Sequence, residues 1–416
     1  MLLVADLHLH SRYASGVSSA MTVENLAVWA LRKGLDLLGT GDCLQADWLR
    51  EIEEATYEVA PGIFALRPKQ EARVFAQVPA GLRRPVQFVL STEVDSLPPP
   101  RTKFEGLHHL LYFPSFDHAW DFRDRLAPHG DLSEGRPTVN LSARTLLDYV
   151  RAHGPDCHFA PAHILNPWFS DLGTVGGSPS LADLYGERLP ELLAVETGLT
   201  SLPPMCRRLE SLDGHALFSC SDAHSLDNLG REYTVLDAEL DYVSIFAALK
   251  SGAQPHVRET VKYPLYRTRY YLNWCSACKR SHDARRCPQC RRELVTGSRD
   301  RLERIASRSQ PQYREKDPPH RELLPLADVI ADLLGAKSES PAVKRLVQTL
   351  LEAVGHERYI LLQASEQEIA AATTPQLAKV VAAQRHAQAA DFRVKEKPAP
   401  DRSEQATLDF GGALAD

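Results

Sequence analysis

Two histidines at the end of the first apolar segment constrain this chain more than any other feature. Residues 4–9 have the apolar character of a buried strand, and alternate residues of a strand point to one face. His8 and His10 therefore project together, with Asp6 on the same side. Imidazoles pack poorly in an apolar interior, whereas two of them aimed at one point can chelate a divalent metal. We favour a metal site over the alternative, two solvent-exposed histidines near the N-terminus.

Metal-binding residue types recur at the ends of later strand-like segments. The sequence predicts strands at 35–40, 86–90, 107–113, 158–162, 192–196 and 216–220, and a helix that Thr22 caps and Gly34 ends. Candidate ligands follow or lie in such segments: Asp42, Glu93, His109, His163, Asp222 and His224. Polar residues at the C-terminal ends of successive strands are typical of β/α barrels. Residues 1–262 are therefore predicted to form an α/β domain around a metal centre.

The length and polarity of the chain indicate a protein of several domains without a membrane span. A chain of 416 residues exceeds the usual size of a single core. It contains no run of eighteen apolar residues. Met1 leads almost directly into the first strand, so we expect no signal peptide, a cytoplasmic location and no disulfides.

Charge is distributed unevenly along the sequence. Residues 256–316 contain 16 lysines and arginines against 6 acidic residues, a surplus of ten positive charges. The rest of the chain therefore carries −16 of a net charge of −6. A basic segment on an acidic body favours a polyanionic partner, and a solvated basic surface is the alternative.

Four cysteines in this basic segment are spaced as two metal-binding pairs. Cys275 and Cys278 form one Cys-x2-Cys pair, and Cys287 and Cys290 form a second. Two such pairs close a tetrahedral zinc site with no open position, so we predict a structural zinc rather than a redox role. Phosphate contacts are predicted for the flanking basic residues Lys279, Arg280, Arg285, Arg286, Arg291 and Arg292.

The composition divides the chain into four predicted regions. Residues 1–262 form the α/β domain, with a Pro-rich surface loop at 97–100, and residues 263–318 form the basic four-cysteine module. Residues 319–394 have the Leu/Ala-rich periodicity of an α-helical domain, after a linker at Pro318 and Pro319. Residues 395–416 are polar and contain proline, which predicts a flexible tail.

The candidate ligands resemble those of the PHP (polymerase and histidinol phosphatase) superfamily of metal-dependent phosphoesterases. The resemblance covers about residues 1–260 and implies a distorted (β/α)7 barrel with the ligands His8, His10, Asp42, Glu93, His109, His163, Asp222 and His224. Either His108 or His109 satisfies the pattern, and His109 fits the family better. The family's Asp-His pair is Asp42-Cys43 here, so one ligand is absent or is replaced by the Cys43 thiol.

The order of regions resembles the endonuclease Q family of DNA repair nucleases. The matching strings are Gly-Thr-Gly-Asp at 39–42, Pro-Ala-His-Ile at 161–164, Pro-Trp-Phe-Ser at 167–170 and Glu-Thr-Gly-Leu at 196–199. The resemblance spans nearly the whole chain. It implies hydrolysis of the phosphodiester on the 5′ side of deaminated bases (uracil, hypoxanthine, xanthine) or abasic sites in damaged DNA.

This hypothesis assigns roles to several side chains. Glu93 and Asp222 are the predicted catalytic residues, with Glu93 placed to bridge two ions. Zn²⁺ suits the imidazole-rich part of the site, and Mg²⁺ or Mn²⁺ suits an oxygen-rich position. Candidates for phosphate contact are Arg12 and Arg231. An extruded base could stack on Trp168, Phe169 or the aromatic residues of 270–274, whose alternative role is core packing.

The predicted tail carries a possible partner motif. Residues 405–410 resemble the QxxLxF peptide by which bacterial repair proteins dock on the sliding clamp, through Gln405, Leu408 and Phe410. A hydrophobic pair in a polar terminus has no core of its own to enter. We therefore predict clamp binding and a cytoplasmic, nucleoid-associated location.

Two other functions compete with the repair nuclease. A PHP-type phosphatase or phosphodiesterase acting on a small phosphorylated metabolite needs no polycationic module, which argues against it. A non-catalytic DNA-binding scaffold with a degenerate metal site is disfavoured by the nearly complete ligand set, although Cys43 keeps it open.

Overall fold

Strands and helices alternate along the chain in the computed structural model, which describes residues 1–97, 106–250, 256–315 and 317–385. The strands are β1 (Leu2–Asp6), β2 (Leu37–Gly39), β3 (Thr56–Ala60), β4 (Ile63–Leu66), β5 (Gln87–Ser96), β6 (Leu107–Phe113), β7 (Gly130–Asp131), β8 (Thr138–Val139), β9 (His158–Pro161), β10 (Val195–Glu196), β11 (Leu217–Phe218), β12 (Tyr233–Asp237), β13 (His256–Lys262), β14 (Asn273–Cys275), β15 (Arg280–His282) and β16 (His320–Glu322). The α-helices are α1 (Val23–Lys33), α2 (Ala46–Ala55), α3 (Pro68–Phe75), α4 (Phe116–Leu126), α5 (Ala143–His153), α6 (Leu181–Tyr185), α7 (Pro203–Cys206), α8 (Tyr242–Leu249), α9 (Ser298–Ile305), α10 (Leu326–Leu334), α11 (Pro341–Ala353), α12 (Glu357–Leu362), α13 (Glu366–Ala372) and α14 (Pro375–Gln384). Residues 98–100 of the predicted loop at 97–100, and the predicted tail, lie outside the described residues.

Seven strands follow one another in a ring, and all seven segments predicted as strands contribute one. Strand β1 pairs with β2 and β2 with β5 in parallel, whereas β5 pairs with β6 and β6 with β9 in antiparallel fashion. The Ile164 amide donates to the Glu196 carbonyl (3.0 Å) and joins the ends of β9 and β10, and β10 pairs in parallel with β11. The Asp222 amide donates to the His8 carbonyl (2.9 Å) and returns the ring to β1. The ends of these strands surround a common centre.

Further strands extend the sheet beyond the predicted set. Strands β12 and β13 continue antiparallel from β1, and β4 and β3 form a hairpin beside β5. The short β16 pairs in parallel with β13, and the Thr260 amide donates to the Pro319 carbonyl (3.1 Å). The predicted linker at Pro318 and Pro319 is therefore tied into the main sheet. Division into four domains remains a prediction.

Helix α1 begins and ends where the sequence predicts. Thr22 caps its first turn by accepting from the Asn25 amide, and Gly34 ends it with φ of 85°. A side chain at residue 34 would bring its Cβ within 2.3 Å of the His356 ring, so the start of α12 packs closely on this corner. The buried Lys33 side chain pairs with Glu357 at 3.0 Å across the same junction.

Both faces of β1 are buried, as expected for a central strand between layers. Leu3 and Ala5 pack in a cluster with Phe246 of α8, whereas Val4 joins a larger cluster that includes the α1 residues and the helices after 326. None of the helices in the described ranges is long and apolar enough to cross a bilayer.

Candidate metal centre and basic module

Two buried histidines and a partly exposed aspartate converge where β1 and β11 end. His8, His10 and Asp222 each offer one ligand atom, and these atoms all lie within 4.8 Å of one another. The Nε2 atoms of both histidines and Oδ1 of Asp222 are buried and form no hydrogen bond with any described residue, although Asp222 lies 3.2 Å from His10 and 3.6 Å from His8. Buried polar atoms are normally hydrogen-bonded, so three that converge without a partner fit a divalent cation.

A second group stands beside the first and shares a carboxylate with it. Oε1 of Glu93, on β5, lies 2.9 Å from Nδ1 of His108 and 3.0 Å from Nε2 of His163. The same carboxylate lies 3.5 Å from His8 and 3.3 Å from His10 in the first group. Glu93 is therefore positioned between both groups, as a bridge between two ions would be.

Two further carboxylates hold the histidines of the first group from behind. Nδ1 of His10 lies 3.0 Å from Oδ1 of Asp42, and Nδ1 of His8 lies 3.0 Å from the Glu196 carboxylate. Such a contact orients the ring and leaves Nε2 as the electron-pair donor toward a metal. Oε2 of Glu196 also accepts from the His163 amide at 2.8 Å, so Glu196 supports both groups.

The carboxylates make the centre strongly attractive to cations. Burial lowers the pKa of His8, but the Glu196 and Glu93 carboxylates outweigh burial and raise this pKa well above its usual value. The pKa of His10 is also raised, against burial, by neighbouring carboxylates. Burial raises the pKa of Glu93, yet the imidazoles of His108 and His8 bring this pKa well below its usual value. The carboxylates that favour protonated histidines would equally favour bound cations, which would supply the positive charge in place of the protons.

The structure corrects the choice between the two adjacent histidines of β6. His108 points into the centre, whereas His109 points to the opposite face of the strand. There Nε2 of His109 lies 2.8 Å from the Ser96 hydroxyl, and its ring stacks on Phe159 at 4.7 Å. His109, the predicted ligand, therefore lies outside both groups and His108 lies inside one, because successive residues of a strand face opposite sides.

Three other predicted positions occupy different places around the centre. Asp42 contacts the back of His10 and accepts from the Ser11 amide (2.5 Å), so it orients a ligand instead of joining either group. The ring of His224 lies 4.6 Å from that of His10, tilted by 59°, and His224 is partly exposed, but it belongs to neither group. Cys43 is fully buried in the apolar cluster and belongs to neither ligand group, which favours an absent ligand over its replacement by the thiol.

Strained backbone marks the same positions. Among the described residues, the non-glycine residues with positive φ are Asp42, His163, Phe169, Asp222, Lys279 and Arg291. The first four belong to or adjoin the metal centre, and the last two follow the second cysteine of each Cys-x2-Cys pair. Such conformations cost of order 1–3 kcal/mol each and cluster at functional sites. At Gly198, with φ of 63°, a Cβ would lie 2.3 Å from Cβ of His163, so only glycine allows the His163 backbone its place.

The four cysteines of the basic segment come together as predicted. The Sγ atoms of Cys275, Cys278, Cys287 and Cys290 all lie within 4.8 Å of one another. Within each pair the amide of the second cysteine faces the first sulfur, at 3.4 Å for Cys278 and 3.5 Å for Cys290. The backbone amide of Cys290 lowers the pKa of Cys287 to about 6, which favours a thiolate. The arrangement can hold one tetrahedral metal ion.

All six predicted DNA-contacting side chains are exposed around this cysteine group. They are Lys279, Arg280, Arg285, Arg286, Arg291 and Arg292. Within the described parts of the chain, none of them forms an ion pair with a carboxylate. Their charge is therefore available to an external anion.

The basic module contacts the rim of the metal centre through an aromatic row. Phe169 stacks on His108 at 4.8 Å, and its neighbour Trp168 meets Tyr270 edge to face at 5.0 Å. Tyr270 in turn meets Trp274, next to the first cysteine, at 5.2 Å. The row links the two predicted metal sites along one side of the molecule.

Two side chains that contact the centre were not among the residues predicted from the sequence. Glu196 lies in the Glu-Thr-Gly-Leu segment at 196–199. The one feature of the sequence that could have identified it is a carboxylate at the end of an apolar strand. Arg136, in the turn between β7 and β8, places Nη1 3.4 Å from Oε2 of Glu93. No motif marked it. Two arginines that were predicted to contact phosphate have protein partners instead: Arg12 pairs with Glu51, and Arg231 donates to the carbonyls of residues 221 and 222.

Sequence comparisons give two relatives of unassigned role. No established family profile matches the chain. An uncharacterised protein of Methanocaldococcus jannaschii is 30% identical over 169 residues, which are 40% of this chain and 17% of that longer protein. The uncharacterised protein YqxK of Bacillus subtilis is 25% identical over 395 residues, which are 91% of this chain and 93% of YqxK.

Solved structures give a more informative match. The lesion-specific endonuclease PfuEndoQ of Pyrococcus furiosus superposes with a TM-score of 0.78 at 29% identity, over 93% of this chain and 91% of that chain. An endonuclease Q complex with a 27-mer duplex, which has an abasic lesion at the active site, gives a TM-score of 0.80 at 29% identity over 93% of this chain and 92% of that chain.

The mixed α/β fold and these matches place the chain in the class of hydrolases, which confirms the prediction that it is an enzyme. The specific relationship is to endonuclease Q. The predicted resemblance to that family is confirmed over 93% of the chain.

Proposed function

We propose that the chain is a metal-dependent DNA repair endonuclease that hydrolyses the phosphodiester 5′ to a deaminated base (uracil, hypoxanthine or xanthine) or an abasic site. The observation that carries the proposal is the pair of ligand groups that share Glu93, within a fold that matches endonuclease Q along nearly its whole length. Phosphodiester hydrolysis needs an activated water and a sink for negative charge, which two adjacent cations supply.

The proposed architecture is a PHP-type distorted (β/α)7 barrel, followed by the zinc module and a helical C-terminal domain. Its support is the ring of seven strands that returns from β11 to β1 through the Asp222 amide. All the residues of both ligand groups lie on or just after strands of this ring: His8, His10, Glu93, His108, His163 and Asp222.

Each group would hold one divalent cation, with Zn²⁺ suited to the imidazoles and Mg²⁺ or Mn²⁺ to the carboxylates. Bound there, the cations would lower the pKa of a water and neutralise the phosphate. The protein itself would orient the ligand side chains and shield them from water. Asp42 and Glu196 fix the rings of His10 and His8. Glu93, His108 and His163 of the second group are all buried. The Asp222 side chain is 22% exposed, so its carboxylate borders solvent and can accept the proton of an attacking water.

Damaged DNA would lie across the module and the centre together. The exposed cationic side chains suit phosphate contact on the flanking duplex, and the four thiolates suit a structural Zn²⁺. An extruded base would meet Phe169 and Trp168 at the rim. We infer further that residues 405–410, which lie outside the described residues, dock on a sliding clamp in the nucleoid region of the cytoplasm.

The first experiment uses end-labelled duplexes that contain a single uracil, a hypoxanthine or an abasic site, and an undamaged duplex, with Mg²⁺ or Mn²⁺. We expect one incision 5′ to the lesion and none in the undamaged duplex. Asp222→Asn should abolish the incision. Asp227→Asn, an exposed carboxylate in the following 3-10 helix, is the matched control and should cleave like the wild type.

Three results would contradict the proposal in different ways. Incision at random positions would remove lesion specificity. Salt-sensitive DNA binding without incision would support the scaffold hypothesis. Hydrolysis of a chromogenic phosphate ester without affinity for DNA would support the metabolite phosphatase.

A further inference from the structure

Arg136 lies beside the carboxylate that both ligand groups share. Its Nη1 is 3.4 Å from Oε2 of Glu93, and the Arg136 side chain is 26% exposed whereas that of Glu93 is 1% exposed. The guanidinium therefore extends from solvent toward the middle of the centre. Among the described lysines and arginines, it alone forms an ion pair with either Glu93 or Asp222.

The turn that carries Arg136 is anchored on both sides. The amide of Gly135 donates to the Tyr13 carbonyl (3.0 Å), which ties the turn to the loop after β1. The amide of Asp95 donates to the Pro137 carbonyl (2.9 Å), which ties it to the end of β5. Arg136 is thus held by backbone contacts on either side of it and does not depend on Glu93 for its position.

Most donors of this guanidinium remain available. An arginine has five N–H donors, and Glu93 engages one of them at 3.4 Å. No further partner for Arg136 is present in the described portion of the chain. Arg12 likewise gives one donor to Glu51 at 2.5 Å, and Arg231 gives two to the carbonyls of residues 221 and 222. Of these three arginines, Arg136 is the one whose partner is Glu93, so its free donors lie beside the carboxylate that both ligand groups share.

We propose that Arg136 binds a non-bridging oxygen of the scissile phosphate and stabilises the charge that develops there. The proposal rests on the proposed function and deepens it. In the hydrolysis, a bond forms between phosphorus and the oxygen of water, and the ester bond between phosphorus and one sugar oxygen breaks. The leaving oxygen takes up a proton. The guanidinium forms no covalent bond and keeps its proton, so its contribution is charge and orientation.

The geometry also separates Arg136 from a purely structural role. A phosphate between the two ligand groups would lie next to Glu93, within reach of a planar fork of donors. A lysine at this position would keep the charge and lose the fork. Arg136→Lys should therefore retain part of the activity that Arg136→Ala loses.

The test compares the wild type, Arg136→Ala, Arg136→Lys and a control. Arg144→Ala is the matched control because Arg144 is an exposed arginine with a single carboxylate partner, Glu187. We expect Arg136→Ala to lower kcat/KM on an abasic duplex about 100- to 1,000-fold, and Arg136→Lys to lower it less. Metal content, measured by elemental analysis, should be equal in all four proteins.

A second measurement does not depend on cleavage. Binding of inorganic phosphate to the metal-loaded proteins, followed by calorimetry, should weaken at least about tenfold in Arg136→Ala and stay unchanged in Arg144→Ala. Unchanged kcat/KM and unchanged phosphate affinity would overturn the proposal. Loss of metal in parallel with activity would overturn it too, because Arg136 would then act by holding Glu93. If the wild type fails to cleave any lesion, the proposed function fails, and phosphate binding alone decides the role of Arg136.

Discussion

Removing two adjacent arginines from the basic module should change how strongly DNA binding depends on salt. Six basic side chains surround the cysteine group, all exposed and none in an ion pair with a described carboxylate. Counterion release predicts a slope of log K against log salt of about −0.9 for each phosphate neutralised, hence about −5.4 for six contacts. The double substitution Arg291→Ala and Arg292→Ala leaves four contacts and a slope of about −3.6.

The difference is large enough to measure directly. Between 50 and 200 mM salt, six contacts lose roughly 2,000-fold in affinity, and four contacts lose roughly 150-fold. Fluorescence anisotropy with a labelled undamaged duplex gives both slopes without incision. The matched control is Arg144→Ala with Arg188→Ala, two surface arginines that already pair with carboxylates.

The metal content must be the same in each protein, because Arg291 and Arg292 directly follow Cys290 of the four-cysteine group. Equal slopes for the wild type and the double variant, at equal metal content, would refute the prediction. The six side chains would then be a solvated surface, and the DNA would bind elsewhere.

Three further predictions concern the centre and the fold. His108→Ala should lower the metal content of the centre whereas His109→Ala should not, by elemental analysis, and equal losses would contradict the assignment. Burial raises the pKa of Asp171 from 3.8 to about 7. The contribution of this carboxyl group to the free energy of unfolding is therefore complete at low pH, where it is protonated in both states, and is lost as pH rises through about 7. Relative to Asp171→Asn, the wild type should therefore lose roughly 2–3 kcal/mol of stability between about pH 5 and pH 8 in urea titrations, and parallel curves would be inconsistent with this. Gly34→Ala should cost at least about 1 kcal/mol through its positive φ, and a His356→Ala background should remove the additional clash; unchanged melting temperatures would disprove both.

The ring could be predicted because each of its strands is a short apolar run with a polar residue near its end. A strand that is buried on both faces has an uninterrupted run of apolar residues, and this run can be recognised without knowing the strand's partners. The strands outside the ring were harder to predict from the sequence. Strand β13 alternates apolar with charged residues, and β16 has three residues that become a strand only by pairing with β13. Their structure is a consequence of tertiary contacts.

The candidate ligands were identified by type more reliably than by role. His108 and His109 differ only in the face of β6 on which they lie, and the pairing of Glu93 with Leu110 across β5 and β6 sets that face. Sequence spacing contains no information about this register. Asp42 and Glu196 show the same limit, because only the folded structure shows that their carboxylates contact the Nδ1 side of the histidine rings.

The position of β1 has a consequence for how the chain is made. Strand β1 pairs with β12, and Asp6 accepts from the Ser221 amide across 215 residues of sequence. At ribosomal rates of about 5–20 residues per second, roughly 10–40 s separate the appearance of these partners. During that interval the apolar strand that carries His8 and His10 has no completed sheet to enter. Nascent chains of this enzyme are therefore expected to need protection from aggregation until residue 237 has emerged, and a truncation before that point should be insoluble rather than partly active.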